Sequence, residues 1–365
     1  MSDAIPPAAT DEDLDDLRRR VCATRRPRVP GRDDPRRGVA GSFLDALLEH
    51  WSQAYDWRVH ERRIRSLPWQ LTGTGDTGLR VIHQRSAAPD APAVLLLHGW
   101  PDSVLRFERL LPLLTGYDVV VPALPGFPFA PALTTTGMSV ARMADVVAAG
   151  MAQLGHRRYT VSGGDVGGDV AEQLAAAHPD RVAALHLTNV SPRHAALADP
   201  AALPPEARAY LAQAGQWFRS EGGYIAEQST RPNTLAAGLG DSPAGLAAWI
   251  VEKLVGWSDP TDGVGPAFTV DELLTWVTAY WLTGTIGTSF APYVEAAEPP
   301  GYLSTPCVVS AFAHDTKPAP RAYVEAFVDV RAFVEHGRGG HFAAWEQPAA
   351  YAEDLHLAVR GRLRG

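Results

Sequence analysis

The chain has 365 residues, 46% of them hydrophobic, and a formal charge of −8. That length suits one large α/β domain with an insertion, or two domains, and the acidic balance excludes phosphate-backbone binding, so no nucleic acid partner is expected. Two cysteines, Cys22 and Cys307, exclude a disulfide framework and a cysteine metal cluster, and no apolar run reaches the ~20 residues of a bilayer span.

The opening "MSDAIPPAATDED" lacks the basic start, apolar core and cleavage site of a signal peptide, which points to a cytoplasmic protein with no membrane partner. Thr10 and Asp13 can cap a helix carrying Leu14, Leu17 and Val21. Ser42 and Asp45 can do the same for a second helix, whose stripe is Leu44, Leu47, Leu48, Trp51 and Tyr55. Between them, "TRRPRVPGRDDPRRG" mixes arginines with acids and prolines and reads as a solvated, extended connection. "WQLTGTGDTGLRVIHQRS" reads as a β-hairpin. Its Gly73, Gly75 and Gly78 match G-x-G-x-x-G, but a strand pattern follows instead of a helix, so they are expected to form a turn.

From residue 91 short buried strands alternate with helical stretches: "AVLLLHGWP", "YDVVVPALPGF", "RYTVSGGD" and "VAALHLTNVSP". That rhythm predicts a mostly parallel sheet with helices on both faces. It stops after Pro192, gives way to a helical, aromatic-rich block, and resumes with "TPCVVSAFAHD" and "VRAFVEHGRGGHF". The block reads as a lid over the carboxyl ends of the strands, where such sheets bind ligands. The expected division is an N-terminal helical segment (1–68), a core in two parts (69–193 and 299–365) and a lid (194–298).

"VSGGDVGGD" joins a strand to a helix through glycines around Asp165. An esterase would put serine at such a turn. A carboxylate instead suits attack on a saturated carbon, leaving an ester that activated water then hydrolyses. On this turn alone a nucleophile and a helix cap stay equally open. The rest of the chain favours the nucleophile. "GRGGHFAAWEQP" supplies His341 as a base, and "SAFAHDTKP" supplies Asp315 to orient it, in the chain order nucleophile, acid, histidine. Asp329 is the rival acid, but it sits inside a strand pattern. The backbone N–H groups of Trp100, in "LLLHGWP", and Val166 are expected to form an oxyanion hole. His98 is expected to brace that turn and, with Pro101, Trp281 and Phe342, to border the substrate pocket.

These stretches resemble the microsomal-type epoxide hydrolases, which have the α/β-hydrolase fold. "HGWPDS", "GGDVGG" and "GGHFAAWEQP" look like the family's catalytic motifs, and "LDDLRRRVCATRRP" looks like part of its N-terminal segment. In the lid, "GGYIAEQSTRPNT", "GLAAWIVEKLVGWSD" and "FTVDELLTWVTAYWLTGTIGTSFAPY" are similar to its more specific stretches. The resemblance implies that Tyr224 and Tyr293 protonate the epoxide oxygen, with Tyr280 as the core-packing alternative. It implies a small-molecule epoxide and water as partners, no cofactor and no metal, and it leaves a homodimer open. Val166 stands where many members have tryptophan, and Asp315 where mammalian members have glutamate. Haloalkane dehalogenases also use aspartate on this fold, but they commonly hold halide with a tryptophan N–H after the nucleophile. The other alternative is a non-catalytic binding protein, which would usually lack a triad member.

Overall fold

Three helices precede the sheet in the computed structural model, which describes residues 3–199, 201–260 and 267–361. The lid segment 261–266 and the outer ends of the first and last expected segments lie outside the described residues. Helix α1 (Asp11–Cys22) starts on a capping box: the Thr10 hydroxyl accepts the Asp13 N–H, and the Asp13 carboxylate accepts the Thr10 N–H. Leu17 and Val21 are its buried face. Helix α2 (Gly41–Gln53) corrects the expected capping. Its N-cap is Ala40, with no side-chain cap. Ser42 donates its N–H to Asp33 at 2.6 Å, and Asp45 pairs with Arg26 and Arg32 at 2.6 and 2.7 Å. The connection's arginines and acids thus hold the helix start by tertiary pairing, which local spacing does not reveal. Helix α3 (Trp57–Arg65) follows, capped by Asp56.

Strands β1 (Trp69–Thr72) and β2 (Leu79–Gln84) form the antiparallel hairpin, and Gly75–Thr77 make its 3₁₀ turn. No helix follows the glycines, so no dinucleotide cradle is formed. Strands β3 (Ala93–Leu97), β4 (Asp118–Pro122), β5 (Tyr159–Gly163), β6 (Val182–Leu187), β7 (Leu303–His314) and β8 (Val328–Gly340) complete an eight-stranded sheet of order β1-β2-β4-β3-β5-β6-β7-β8. The pairings from β4 to β8 are parallel. The continuous apolar run of β3 is buried throughout, as a strand covered on both faces requires. Helices α4 (Val140–Gln153) and α5 (Val166–Ala177) cover part of the sheet. The β3–β4 connection departs from the expected alternation: it holds only the 3₁₀ turns Val104–Phe107 and Leu111–Leu113, and "RFERLLPLL" builds no full α-helix.

Among the described residues, the block expected to form the lid holds α6 (Pro205–Glu221), α7 (Gly223–Thr230), α8 (Pro232–Asp241), α9 (Pro243–Gly256), α10 (Val270–Thr283) and α11 (Ala291–Val294). Ser242 caps α9 by accepting the Gly245 N–H at 3.0 Å. Helix α10 begins on a capping box between Thr269 and Glu272 and ends at left-handed Gly284. Helices α12 (Arg321–Val324), α13 (Ala343–Glu346) and α14 (Pro348–Arg360) belong to the second part of the core. No helix among the described residues is long and apolar enough to cross a membrane.

Candidate active site

Asp165 stands between β5 and α5 with φ +55°, a left-handed conformation that few non-glycine residues adopt. Two glycines make the turn sterically feasible: a Cβ on Gly163 would meet the Gly167 carbonyl oxygen at 2.5 Å, and one on Gly99 would meet the Asp165 Cβ at 2.6 Å. Although Asp165 occupies the N-cap position of α5, its side chain makes no cap hydrogen bond. It points the other way, where the Trp100 N–H donates to Oδ1 at 2.8 Å and the Val166 N–H adds a favourable dipole. The carboxylate is therefore held by a backbone donor from the end of a different strand.

His341 follows β8. Its Nε2 lies 3.5 Å from Asp165 Oδ2, an ion-pair separation longer than a hydrogen bond. Its Nδ1 meets Asp315 Oδ1 at 2.7 Å, and that oxygen also accepts the Thr316 N–H at 2.6 Å. Because a carboxylate can only accept, Nδ1 carries a proton and Nε2 is aimed at Asp165. Burial disfavours the charged imidazole, but Asp315 and Asp165 outweigh it and raise its pKa to about 9. Burial likewise disfavours the Asp165 anion. The imidazolium, with the Trp100 and Val166 N–H groups, reverses that and brings its pKa to about 2. At neutral pH the centre rests as carboxylate, imidazolium, carboxylate. The rival acid Asp329 instead pairs with Arg331 at 2.7 Å.

The lid closes the site with aromatic rings. Tyr224 stacks on Trp100 at 5.3 Å between centroids, Tyr293 meets the same indole edge-on at 6.1 Å, and Trp257 packs against His341 at 5.2 Å. Burial first, and then the Asp165 charge, raises both phenol pKa values well above the ordinary range, so both keep their protons. Among the described residues neither phenol oxygen has a protein hydrogen-bond partner. Tyr280 differs: its hydroxyl is committed to the Asp102 carbonyl at 3.0 Å.

Residues 4–107 match the family described as epoxide hydrolase N terminus, and residues 92–229 match the alpha/beta hydrolase fold family. A Stigmatella aurantiaca protein named "Putative epoxide hydrolase" is 38% identical, over 98% of this chain and 83% of its own length. Epoxide hydrolase 1 of Sus scrofa is 28% identical over 95% and 86%. A solved structure of an enantioselective mutant of Aspergillus niger epoxide hydrolase superposes with a TM-score of 0.87 at 30% identity, covering 98% of this chain and 95% of that one. The chain belongs to the epoxide hydrolase family, with the α/β-hydrolase fold.

Three of the expected pocket residues of this epoxide hydrolase lie elsewhere. His98 is fully buried behind the turn: Nδ1 is 3.1 Å from the Gly99 carbonyl and Nε2 accepts the Leu124 N–H at 3.1 Å. It braces the turn. Trp281 faces α1, where the Arg20 guanidinium lies over its ring. Helix α10 turns about 100° per residue, so adjacent Tyr280 and Trp281 cannot share a face. Phe342 sits beneath the base, edge-on to His341 and packed on Phe268 and Trp276. Pro101 is buried after a cis bond from Trp100.

Other supports carry no chemical signature in the sequence. Asn189 Oδ1 accepts the Asp165 N–H at 2.9 Å and props the turn; the sequence marks it only as a strand-end amide. Asp102 accepts the Gly99 N–H at 2.7 Å and pairs with Arg106 at 2.5 Å, and Arg106 donates to the His341 carbonyl at 2.5 Å. This buried bridge ties the Trp100 turn to the His341 loop. Glu346 accepts the N–H groups of Asp259, Gly340 and Phe342 and so clamps the loop on both sides of His341. Finding these three from sequence would have required knowing which loops meet.

Proposed function

We propose that this epoxide hydrolase opens its substrate to a vicinal diol through a covalent ester on Asp165. Oδ1 is held by the Trp100 N–H, so Oδ2 is the attacking oxygen. It forms a bond to an epoxide carbon as the ring C–O bond breaks, and Tyr224 or Tyr293 delivers a proton to the leaving alkoxide. Esterification removes the Asp165 charge, one of the two that hold the proton on His341. The imidazolium then releases that proton, which makes up for the one the phenol gave. Neutral His341, oriented by Asp315, takes a proton from water, and the resulting hydroxide attacks the Asp165 ester carbonyl. The Trp100 and Val166 N–H groups receive the oxyanion before the diol leaves.

The observation that carries this reading is the pair of protonated phenols, unpartnered among the described residues, held against Trp100, whose N–H grips Asp165. An alkoxide needs a proton to leave and a halide does not. Val166 also offers no indole N–H to a halide. The free thiols of Cys22 and Cys307 support a cytoplasmic location as part of the same reading.

A panel of terminal and aryl epoxides, with chiral analysis of the diols, tests the activity. One turnover in ¹⁸O-water is expected to leave the label in the Asp165 carboxylate. Label in the first diol would replace the ester route with direct hydration. Chloride release from haloalkanes with no diol from any epoxide would overturn the assignment.

A further inference from the structure

The catalytic groups occupy the carboxyl ends of the parallel strands, and a second cluster of ligating side chains occupies the opposite ends. His83 on β2, Asp118 at the start of β4 and His156 between α4 and β5 bring their ligand atoms within 4.8 Å of one another. The Nε2 atoms of His83 and His156 face each other at 3.1 Å, with the ring planes 74° apart. Two nitrogens on one tetrahedral zinc ion stand about 3.3 Å apart, given metal–nitrogen bonds of ~2.05 Å.

The surroundings prepare these atoms for a cation. Gln70 Oε1 lies 3.3 Å from His83 Nδ1. An amide oxygen only accepts, so Nδ1 carries the proton and Nε2 presents its lone pair to the cluster. An outer partner of this kind fixes the tautomer and ring orientation of many metal-ligating histidines. Asp118 Oδ1 accepts the Ser86 N–H at 2.8 Å, which orients the carboxylate and leaves Oδ2 available. A simple N–H···N bond between the two imidazoles would account for their contact, but not for a carboxylate beside it. Arg85 opposes a cation here, but its side chain is exposed and free to swing into water.

We propose that His83, His156 and Asp118 bind one divalent transition-metal ion of the zinc type, with water completing its coordination. Two imidazoles and a carboxylate suit zinc and its neighbours better than the all-oxygen preference of calcium or magnesium. The ion would clip the edge hairpin β1–β2 to the turn that leads into β5. Its effect is on stability, because Asp165 lies at the far end of that strand.

The test uses the full chain without an affinity tag, stripped with chelator and titrated at pH 7.5 with Zn²⁺ or Co²⁺ alone. Metal analysis and calorimetry are expected to show one bound equivalent, and Tm is expected to rise by roughly 2–4 °C. Bound Co²⁺ is expected to give the visible absorption of a low-coordinate site. His156→Ala is expected to lose these signals, and Gln70→Leu to weaken binding by about 10-fold. Asp118→Asn keeps an acceptor for the Ser86 N–H but loses the charge, so it is expected to fold normally and bind more weakly. Asp165→Asn is expected to bind metal as the wild type does. No uptake by the folded wild type, uptake unchanged in both His156→Ala and Asp118→Asn, or loss of uptake in Asp165→Asn would each overturn the proposal.

Discussion

The turn that carries Asp165 and the lid that carries Tyr224 and Tyr293 meet at one indole, that of Trp100, but they are built by different means. The turn is held by its backbone: glycines at which a Cβ would clash, a positive φ, and the Trp100 N–H reaching in from the end of another strand. The lid phenols are held by packing of their rings, and among the described residues no hydrogen bond fixes either hydroxyl. On the proposed mechanism, the element that stabilises charge is fixed by its backbone and the element that gives up a proton keeps its donor free. Charge stabilisation gains most from fixed dipoles in a dry site, and a phenol already committed elsewhere, like Tyr280, could not serve as the acid.

The largest effects should come from the rigid side. Asp165→Asn should reduce single-turnover ester formation by at least ~10⁴-fold, because no other group can make the covalent bond. His341→Ala should spare that step and slow ester hydrolysis by about 10²–10⁴-fold. Intact-mass analysis would then show protein plus one substrate. Failure to accumulate that adduct would remove His341 from the role of base.

The lid should respond more gently to single changes. Tyr224→Phe and Tyr293→Phe should each slow alkylation in stopped-flow by about 10-fold, since the remaining phenol partly covers, and the double variant by about 10²–10⁴-fold. If either single change already cost as much as the double, the two phenols would not be sharing one oxygen.

A pH series separates the regions further. The His341 pKa is raised above its unfolded value, so its stabilising contribution is complete below about 6.5 and is lost as pH rises through about 9. The depressed Asp165 contributes above 3.8 and loses its share as pH falls through about 2. In chemical denaturation, the stability gap between wild type and His341→Gln should therefore shrink between pH 7 and 10. The gap between wild type and the double tyrosine variant should stay flat up to about pH 9 and begin to shrink only as the unfolded phenols ionise near 10, because burial raises both folded phenol pKa values above that. The smallest effect expected is that of Ser242→Ala. Loss of the α9 cap should cost about 1 kcal/mol in denaturant titration, with kcat little changed.

The sequence by itself determined the features that depend on local covalent rules. A strand, crowded glycines and an acid specified the sharp turn. Alternating apolar runs specified a sheet covered on both faces, and a capping box specified the start of α1. His341 and Asp315 were legible because each follows a strand that must end at the same edge of the sheet. What only the tertiary structure decided is which side chains from separate loops meet. Helical rotation turned Trp281 toward α1 while Tyr280 reached Asp102. Helix α2 starts at Gly41, two residues before the expected cap allows, because Arg32 folds back onto Gly41 while Arg26 and Arg32 pair with Asp45. Asn189, Arg106 and Glu346 are ordinary polar residues until folding places each beside a backbone group that needs a partner. A buried polar group must be satisfied by whatever the packing brings within reach, and a single chain's order does not encode that proximity.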